Sequence, residues 1–416
     1  MNALPVRYLL IGGALCLGLL VGRTSSAQTP DATAARPDER EFDISDLWRA
    51  IRKKPVPPPT DEPPRRIFVI APVIGAKPDT GFLFGAAGNL AFYRGDPKTT
   101  NLSTSVLSLT FSTKKQTLGS AKFAAFSKDN HWLVEGDNRL NWTSQDTFAL
   151  GTASVNDPTK AEYDFFRVYE NAYRQVAPRL FVGGGFVFNT HINIKPSDES
   201  SPAEWEASPH IAYSVEHGLP TDSATSSGVN IGARFDSRDN QIRATRGYFA
   251  SATYRAYFDG FLGGDSTWQQ VSFDTRTYRA LTPGGRQVLA AWFFGDFVVN
   301  GVAPYFDLPA TGMDTFGRSG RGCKEGRFRG ERLMYGELEY RTTLTRNGLF
   351  GMVGFINATT VSAADTGTAL FDSVAVGSGL GSRFLLSKRS RTNLCFDVGW
   401  GRDGSKGVYL SVQEVF

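Results

Sequence analysis

The stretch GRFRGERL, residues 326–333, sets Arg327, Arg329 and Arg332 around one aromatic ring and two glycines. Guanidinium groups bind carboxylates and phosphates through paired, charge-assisted hydrogen bonds. Two destinations suit these three. They are either solvated in an external loop on phosphate groups, or paired with carboxylates inside the protein. A buried, unpaired arginine would be costly.

Other reactive groups carry less. Asp79 and Asp365 each open a DTG triplet, as in an aspartic protease dyad. That motif needs an apolar strand before each Asp, and Lys77-Pro78 and Ala363-Ala364 stand there instead. Ser112 begins a Ser-x-x-Lys match without its companion motifs. His131, His191, His210 and His217 are scattered, and Cys16, Cys323 and Cys395 form no Cys-x-x-Cys or Cys/His cluster. A Cys323–Cys395 disulfide is the pairing open to an oxidising compartment. We therefore expect no enzyme activity, no cofactor and no metal. The 45 basic and 41 acidic residues make a mixed surface, so no nucleic-acid partner is expected.

The elements that must hold these residues read as strands. The first 27 residues have Arg7, an apolar core from Tyr8 to Val21, and Ser25-x-Ala27 before Gln28. This is the pattern of a cleaved signal peptide, and the apolar core is too short for a membrane helix. Leu15 before Cys16 argues against lipidation. Residues 28–65 are a Pro-rich periplasmic segment with one candidate helix. Asp43 or Ser45 would cap it, and Ile44, Leu47, Trp48 and Ile51 share one face. Such a helix suits the inner leaflet, the barrel mouth or a partner.

From 66 to 416, apolar and polar residues alternate with period two. Trp132, Val134, Leu140 and Trp142 oppose Glu135, Asp137, Arg139 and Asn141. Met334, Leu338 and Tyr340 oppose Glu337, Glu339 and Arg341; Phe396, Val398 and Trp400 oppose Cys395 and Asp397. The polar face is charged and the apolar face aromatic. The segments run to roughly 10–14 residues, near the ~9–11 that a tilted membrane-spanning strand needs. An all-β fold follows: a transmembrane antiparallel barrel of about 16 strands, with apolar side chains outward and a polar lumen. Expected strands lie near 67–77, 81–94, 101–113, 116–128, 131–144, 164–176, 180–195, 226–239, 247–258, 266–281, 287–301, 332–345, 349–362, 371–388, 391–403 and 407–416. Long connections at 145–163, 196–225 and 302–331 follow odd strands and would be extracellular. Phe416 would end the last strand at the membrane boundary.

These residues resemble the barrel of the BamA/TamA outer-membrane assembly family, the bacterial surface antigen family, from about Ile67 to Phe416. APVIGAKPDTGFLFGAAG resembles its opening hairpin. FDSRDNQIRATRGYF resembles its Asp-x-Arg-Asp turn followed by Arg-Gly-aromatic, through Asp236, Arg238, Asp239, Arg246, Gly247 and Tyr248; Ala244 replaces the usual proline. RFRGERL resembles its loop signature, an aliphatic-Arg-Gly-aromatic quartet. Arg329 and Gly330 match, while Phe328 and Glu331 depart. GSGLGSRF, LCFDVGWG and VYLSVQEVF resemble the last three strands.

The resemblance implies that the loop before strand 12 folds into the lumen and that its arginine docks on wall carboxylates. The usual Asp is Asn357 here, so Arg329 would use Glu337, Glu339 or Asp397. Gly377, Gly379 and Gly381 would give the loop a smooth wall. It also implies insertion of barrel proteins, or export, through a lateral seam between the first strand and 407–416. The family's periplasmic POTRA domains have no room in the about 38 residues from Gln28 to Arg65, which points to a barrel-only branch. Expected partners are outer-membrane lipid and lipopolysaccharide, unfolded barrel clients, a periplasmic partner, or a second copy paired through the seam. The competing reading is a passive pore or structural, lipid-handling barrel.

Overall fold

A computed structural model describes residues 41–55, 66–77, 81–97, 99–315 and 317–416. The expected signal peptide, the rest of the Pro-rich segment and Asp79 lie outside the described residues.

Among the described residues, sixteen strands form one antiparallel sheet closed on itself. They are β1 Arg66–Lys77, β2 Gly81–Phe92, β3 Ser103–Ser112, β4 Thr117–Phe126, β5 Trp132–Thr147, β6 Thr159–Ala177, β7 Leu180–Pro196, β8 Ala224–Asp236, β9 Gly247–Tyr257, β10 Trp268–Ala280, β11 Gln287–Gly301, β12 Arg332–Thr343, β13 Phe350–Ser362, β14 Ala375–Ser387, β15 Thr392–Trp400 and β16 Lys406–Val412. Each pairs with its sequence neighbours, and β1 closes onto β16. The last strand stops four residues short of Phe416, earlier than the alternation predicts.

The alternation decides which side chains face in. Along β12, Leu333, Tyr335, Glu337, Glu339 and Arg341 are buried, while Leu338 and Tyr340 point outward. Along β15, Cys395 and Asp397 are buried and Phe396 and Trp400 are exposed. A soluble sandwich would bury its apolar face. This wall instead presents Phe68, Ile70, Leu107, Ile231 and Leu380 to its surroundings and pairs its backbone within the closed sheet, as a lipid solvent demands. Among the described residues no helix is long and apolar enough to cross a membrane.

The long connections, 148–158, 197–223 and 302–331, all follow odd strands and so share one end of the barrel. There an aromatic cluster of Tyr163, Phe165, Tyr213, Tyr257, Trp268, Tyr305 and Phe306 seats the start of the 302–331 loop. Tyr213 Oη donates to the Ala303 carbonyl at 3.0 Å, and Tyr305 Oη to the Phe148 carbonyl at 2.7 Å.

At the other end, the predicted helix forms as α1, Ile44–Ile51. Asp43 is its cap, accepting from Ser45 and Asp46 backbone amides at 3.0 and 3.2 Å. Asp43 also accepts from Lys388 N at 3.1 Å, Asp46 pairs with the Lys388 ammonium, and Phe42 N donates to the Asn347 carbonyl at 2.8 Å. Burial pushes the Asp43 carboxyl up, but the bonds from Ser45, Lys388 and Asp46 outweigh it and hold it below the usual value. A lowered carboxyl stabilises the dock above its unfolded pKa and loses that contribution as pH falls through the folded one. Asp43→Ala is expected to cost about 1 kcal/mol and to expose Arg49 and Arg52 to trypsin at neutral pH. Wild type should become equally sensitive to an acid-active protease only below pH 3.8, the ordinary Asp value.

Candidate functional site

The 302–331 loop folds back into the lumen. Its two arms pair at Ala310 and Arg329, and Thr311 N donates to the Phe328 carbonyl at 3.0 Å. Beyond this stem the tip reaches the opposite wall, where Arg139 Nη2 donates to the Thr315 carbonyl at 2.7 Å.

The arginine that meets the wall carboxylates is Arg321, from SGRGCKEG, and not Arg329. Its guanidinium donates to Glu337, to Glu339 and, at 2.8 Å, to Asp397, while lying 3.6 Å from the centroid of the Phe355 ring. Arg383 bonds Asp397 at 2.5 Å and Glu414 at 2.7 Å; Arg341 bonds Glu339 at 2.6 Å. Three guanidiniums and four carboxylates thus form one buried network across the loop, β12, β14, β15 and the residues after β16. Tyr335 Oη donates to Glu337 at 2.5 Å. Asn357 donates to the Arg321 carbonyl at 3.0 Å and to Glu337 at 3.4 Å. The network already holds one more carboxylate than guanidinium. An Asp at 357 would add another acceptor where this amide donates.

Arg329 is just as buried, but it staples the loop to itself. Its Nη1 donates to the Tyr305 and Leu308 carbonyls at 2.8 and 3.3 Å, and its guanidinium lies 4.9 Å from the Tyr305 ring centroid. Arg329 stands three residues before β12, at the foot of the loop, so its side chain meets the outgoing arm and, through Nη2 to Gln145 Oε1 of β5 at 3.5 Å, the wall away from the carboxylates. Phe328 is fully buried beside Leu333 and Tyr335, and Gly330 passes so close to β13 that a Cβ would sit 2.2 Å from the Ser362 carbonyl. Arg327 bonds Asp403 at 3.0 Å, and Arg332 is exposed.

Two glycines permit the approach of Arg321. A Cβ on Gly377 would lie 2.8 Å from the Arg321 carbonyl, and one on Gly399 would lie 2.9 Å from Gly322 N. Gly377 acts as the sequence predicts. Gly379 and Gly381 instead make room for Phe355 and for the Asp397 carboxylate.

Phe416 is also not where the sequence puts it. Gln413 has φ +93, the chain turns inward, and Phe416 is buried in the lumen. Its ring lies 5.4 Å from Trp292 and 6.2 Å from Tyr278 between centroids, and its main-chain oxygen accepts from Arg341 at 3.0 Å. Glu414 left the backbone ladder to join the charge network. The loop grips this tail: Arg318 Nη1 donates to the Glu414 and Val415 carbonyls, and Gly322 N donates to Tyr409 Oη of β16 at 2.9 Å. Phe416→Ala should therefore cost about 3 kcal/mol, as for a core aromatic, and lower the temperature at which the folded, fast-migrating gel band is lost. A boundary aromatic would barely move it.

The turn motif is a self-capped closure of the helix-α1 end. Asp236 and Arg238 pair twice, at 2.9 and 2.7 Å. Asp239 accepts from Thr245 N at 2.8 Å, Arg246 N at 3.2 Å and Arg391 at 3.2 Å, which ties this turn to the one after β14. Gly247 has φ +103 against the Ser237 carbonyl, and Tyr248 points outward. Asp365 bonds His217 at 3.0 Å, and Cys323 and Cys395 are free thiols. Beside the loop remains a cavity of about 580 Å³ lined by Lys122, Arg139, Arg167, Arg255, Asp296 and their neighbours.

At the seam, β1 and β2 pair over their full lengths, and β15 pairs with β16 from Leu394↔Val412 to Trp400↔Lys406. Among the described residues, β1 meets β16 at one registered pair, Ala76↔Val408.

No protein-family model matches the chain, and no curated protein matches it in sequence. Solved structures do. BamA from Haemophilus ducreyi lacking POTRA domains 1–3 superposes with TM-score 0.52 at 14% identity, covering 84% of this chain and 70% of that one. CdiB from Acinetobacter baumannii gives 0.53 at 13%, covering 83% and 59%; CdiB from Escherichia coli gives 0.53 at 11%, covering 86% and 62%. This chain thus spans about three fifths of each CdiB. The fold is that of the BamA and CdiB barrels, as the sequence resemblance implied.

Proposed function

We propose that this barrel, which shares its fold with BamA and CdiB, works in the outer membrane as an assembly or translocation barrel. It would insert barrel proteins, or export substrates, through the β1–β16 seam. The single observation that carries this is the seam itself, among the described residues one registered pair in a wall whose other strands pair along their lengths. A weakly paired edge has free backbone donors and acceptors, which an incoming strand can use. The buried network then serves as the latch, since loop, wall and tail meet there. Residues 1–27 would be the cleaved signal peptide and 28–65 the periplasmic segment. A periplasmic partner or a second copy would work with the barrel. The chain would act without catalysing a covalent reaction.

A passive pore is disfavoured because loop and tail occupy the lumen. The test is client folding. The purified barrel in liposomes receives an unfolded small outer-membrane protein, and its folding is followed by heat-modifiable gel mobility. Folding well above empty liposomes supports the proposal. Folding at the empty-liposome rate rejects insertase activity and returns the assignment to a pore or lipid-handling barrel.

A further inference from the structure

Helix α1 has three sides. At ~100° per residue, Asp46 and Leu47 fall on the side that docks on the Lys388 turn, where Asp46 is buried and Leu47 half-buried. Ile44, Trp48 and Ile51 fall within ~60° of one another on a second side and are exposed by 44%, 55% and 64%. The third side and the end of the helix carry Arg49, Arg52, Lys53 and Lys54, all exposed, with the Arg52 guanidinium 4.5 Å from the Trp48 ring centroid. The helix packs against β14. On that strand Phe384, near the docked end, is half-buried, whereas the outward Val376 and Leu380 further along are 52% and 56% exposed. An exposed apolar side of the helix thus sits at the end of a strand that itself exposes Val376 and Leu380.

We propose that α1 is a membrane foot. Ile44, Trp48 and Ile51 enter the acyl boundary of the leaflet at this end of the barrel, and Arg49, Arg52, Lys53 and Lys54 bind anionic phospholipid headgroups. An exposed apolar stripe flanked by cations, with a tryptophan at the headgroup level, has the chemistry of an interfacial helix. The acidic side ties it to the turns, so the foot fixes this end of the wall at one depth. The proposal rests on the barrel spanning a bilayer.

The test uses the full chain in nanodiscs of phosphatidylcholine, with and without phosphatidylglycerol. Cys323, Cys395 and Cys16 where retained are replaced by serine, and a nitroxide is placed at Trp48→Cys, Ile51→Cys, Arg49→Cys or, on the outward face of β12, Leu338→Cys. Collision with oxygen and with a water-soluble nickel chelate is measured. Labels at 48 and 51 should meet the chelate several-fold less, and oxygen more, than the label at 49. Phosphatidylglycerol should sharpen that contrast, and Arg52→Glu with Lys53→Glu should remove the sharpening. Equal chelate access at 48, 51 and 49, with 338 shielded, overturns the foot while leaving the barrel in place. Access at 338 as well brings down the membrane-spanning premise, and the proposal with it. Shielding from both probes that persists in detergent means that protein covers the face and also overturns it. Contrast indifferent to phosphatidylglycerol overturns the headgroup half.

Discussion

Arg321→Ala is expected to destabilise the barrel by about 3–5 kcal/mol, the cost of removing one partner from a buried ion pair, and to abolish client folding. The loss is not shared evenly. Glu339 keeps Arg341, and Asp397 keeps Arg383. Glu337 has no second ion pair among the described residues and would be left with Tyr335 Oη and the Asn357 amide. The penalty should therefore concentrate on Glu337, and Arg321→Ala with Glu337→Gln should recover stability relative to Arg321→Ala alone. A coupling of about 1–3 kcal/mol is the scale for directly bonded residues. Arg321→Lys should rescue poorly, because one ammonium cannot span three carboxylates. Arg329→Ala is expected to cost less, about 2 kcal/mol, since it bonds neutral carbonyls. It should leave the wall carboxylates paired and much of the client folding intact. The folded-band midpoint temperature and the liposome assay read these quantities separately. Equal losses at 321 and 329 would remove the distinction between latch and staple.

The sequence makes the wall legible because each strand is a local pattern. Side chains alternate by covalent geometry, so Glu337, Glu339 and Asp397 could be placed in the lumen, and Leu338 and Phe396 outside it, without knowing any partner. Counting turns then gave the strand number and the end to which the long loops belong. The destination of a loop residue is a different kind of fact. Arg321 and Arg329 are both followed by glycine, and only the depth of each along the loop separates them. Arg329 is three residues from β12, too near the rim to face Glu337. Arg321 lies at the tip, between Gly320 and Gly322, where a backbone can press against Gly399. That position is readable in the sequence, whereas the motif match points to the other arginine. Phe416 departs from its expected place for a related reason. An aromatic at the end of an alternating strand predicts a boundary anchor, and nothing local announces the left-handed turn at Gln413 that takes the ring inside. The partners that hold it, Trp292, Tyr278, Arg341 and Arg318, come from three other strands and the loop.

Locking the seam should silence the barrel without unfolding it. Ala76 and Val408 are facing Cα partners at the one position registered between β1 and β16 among the described residues. Facing positions on antiparallel strands lie about 4.5–5.5 Å apart, within the span a disulfide bridges. The Ala76→Cys, Val408→Cys barrel, once oxidised, should fold clients no faster than empty liposomes. A thiol reductant should restore the rate. Leu338→Cys with Ile356→Cys, partners within the fully paired β12–β13 ladder, should oxidise with no effect on rate, because that ladder has no need to open. The asymmetry follows from where β16 is held. It pairs with β15 along its length, but its continuation is drawn into the lumen by Arg318, Arg341 and Arg383, so the edge it offers β1 stops at Val412. A barrel that works through this edge needs it free, so one covalent bond there should outweigh all the pairing around the rest of the wall. A passive pore conducts through the lumen and would be indifferent to either disulfide. Loss of activity with both pairs would instead mean that the whole wall must flex, and would move the mechanism away from the seam.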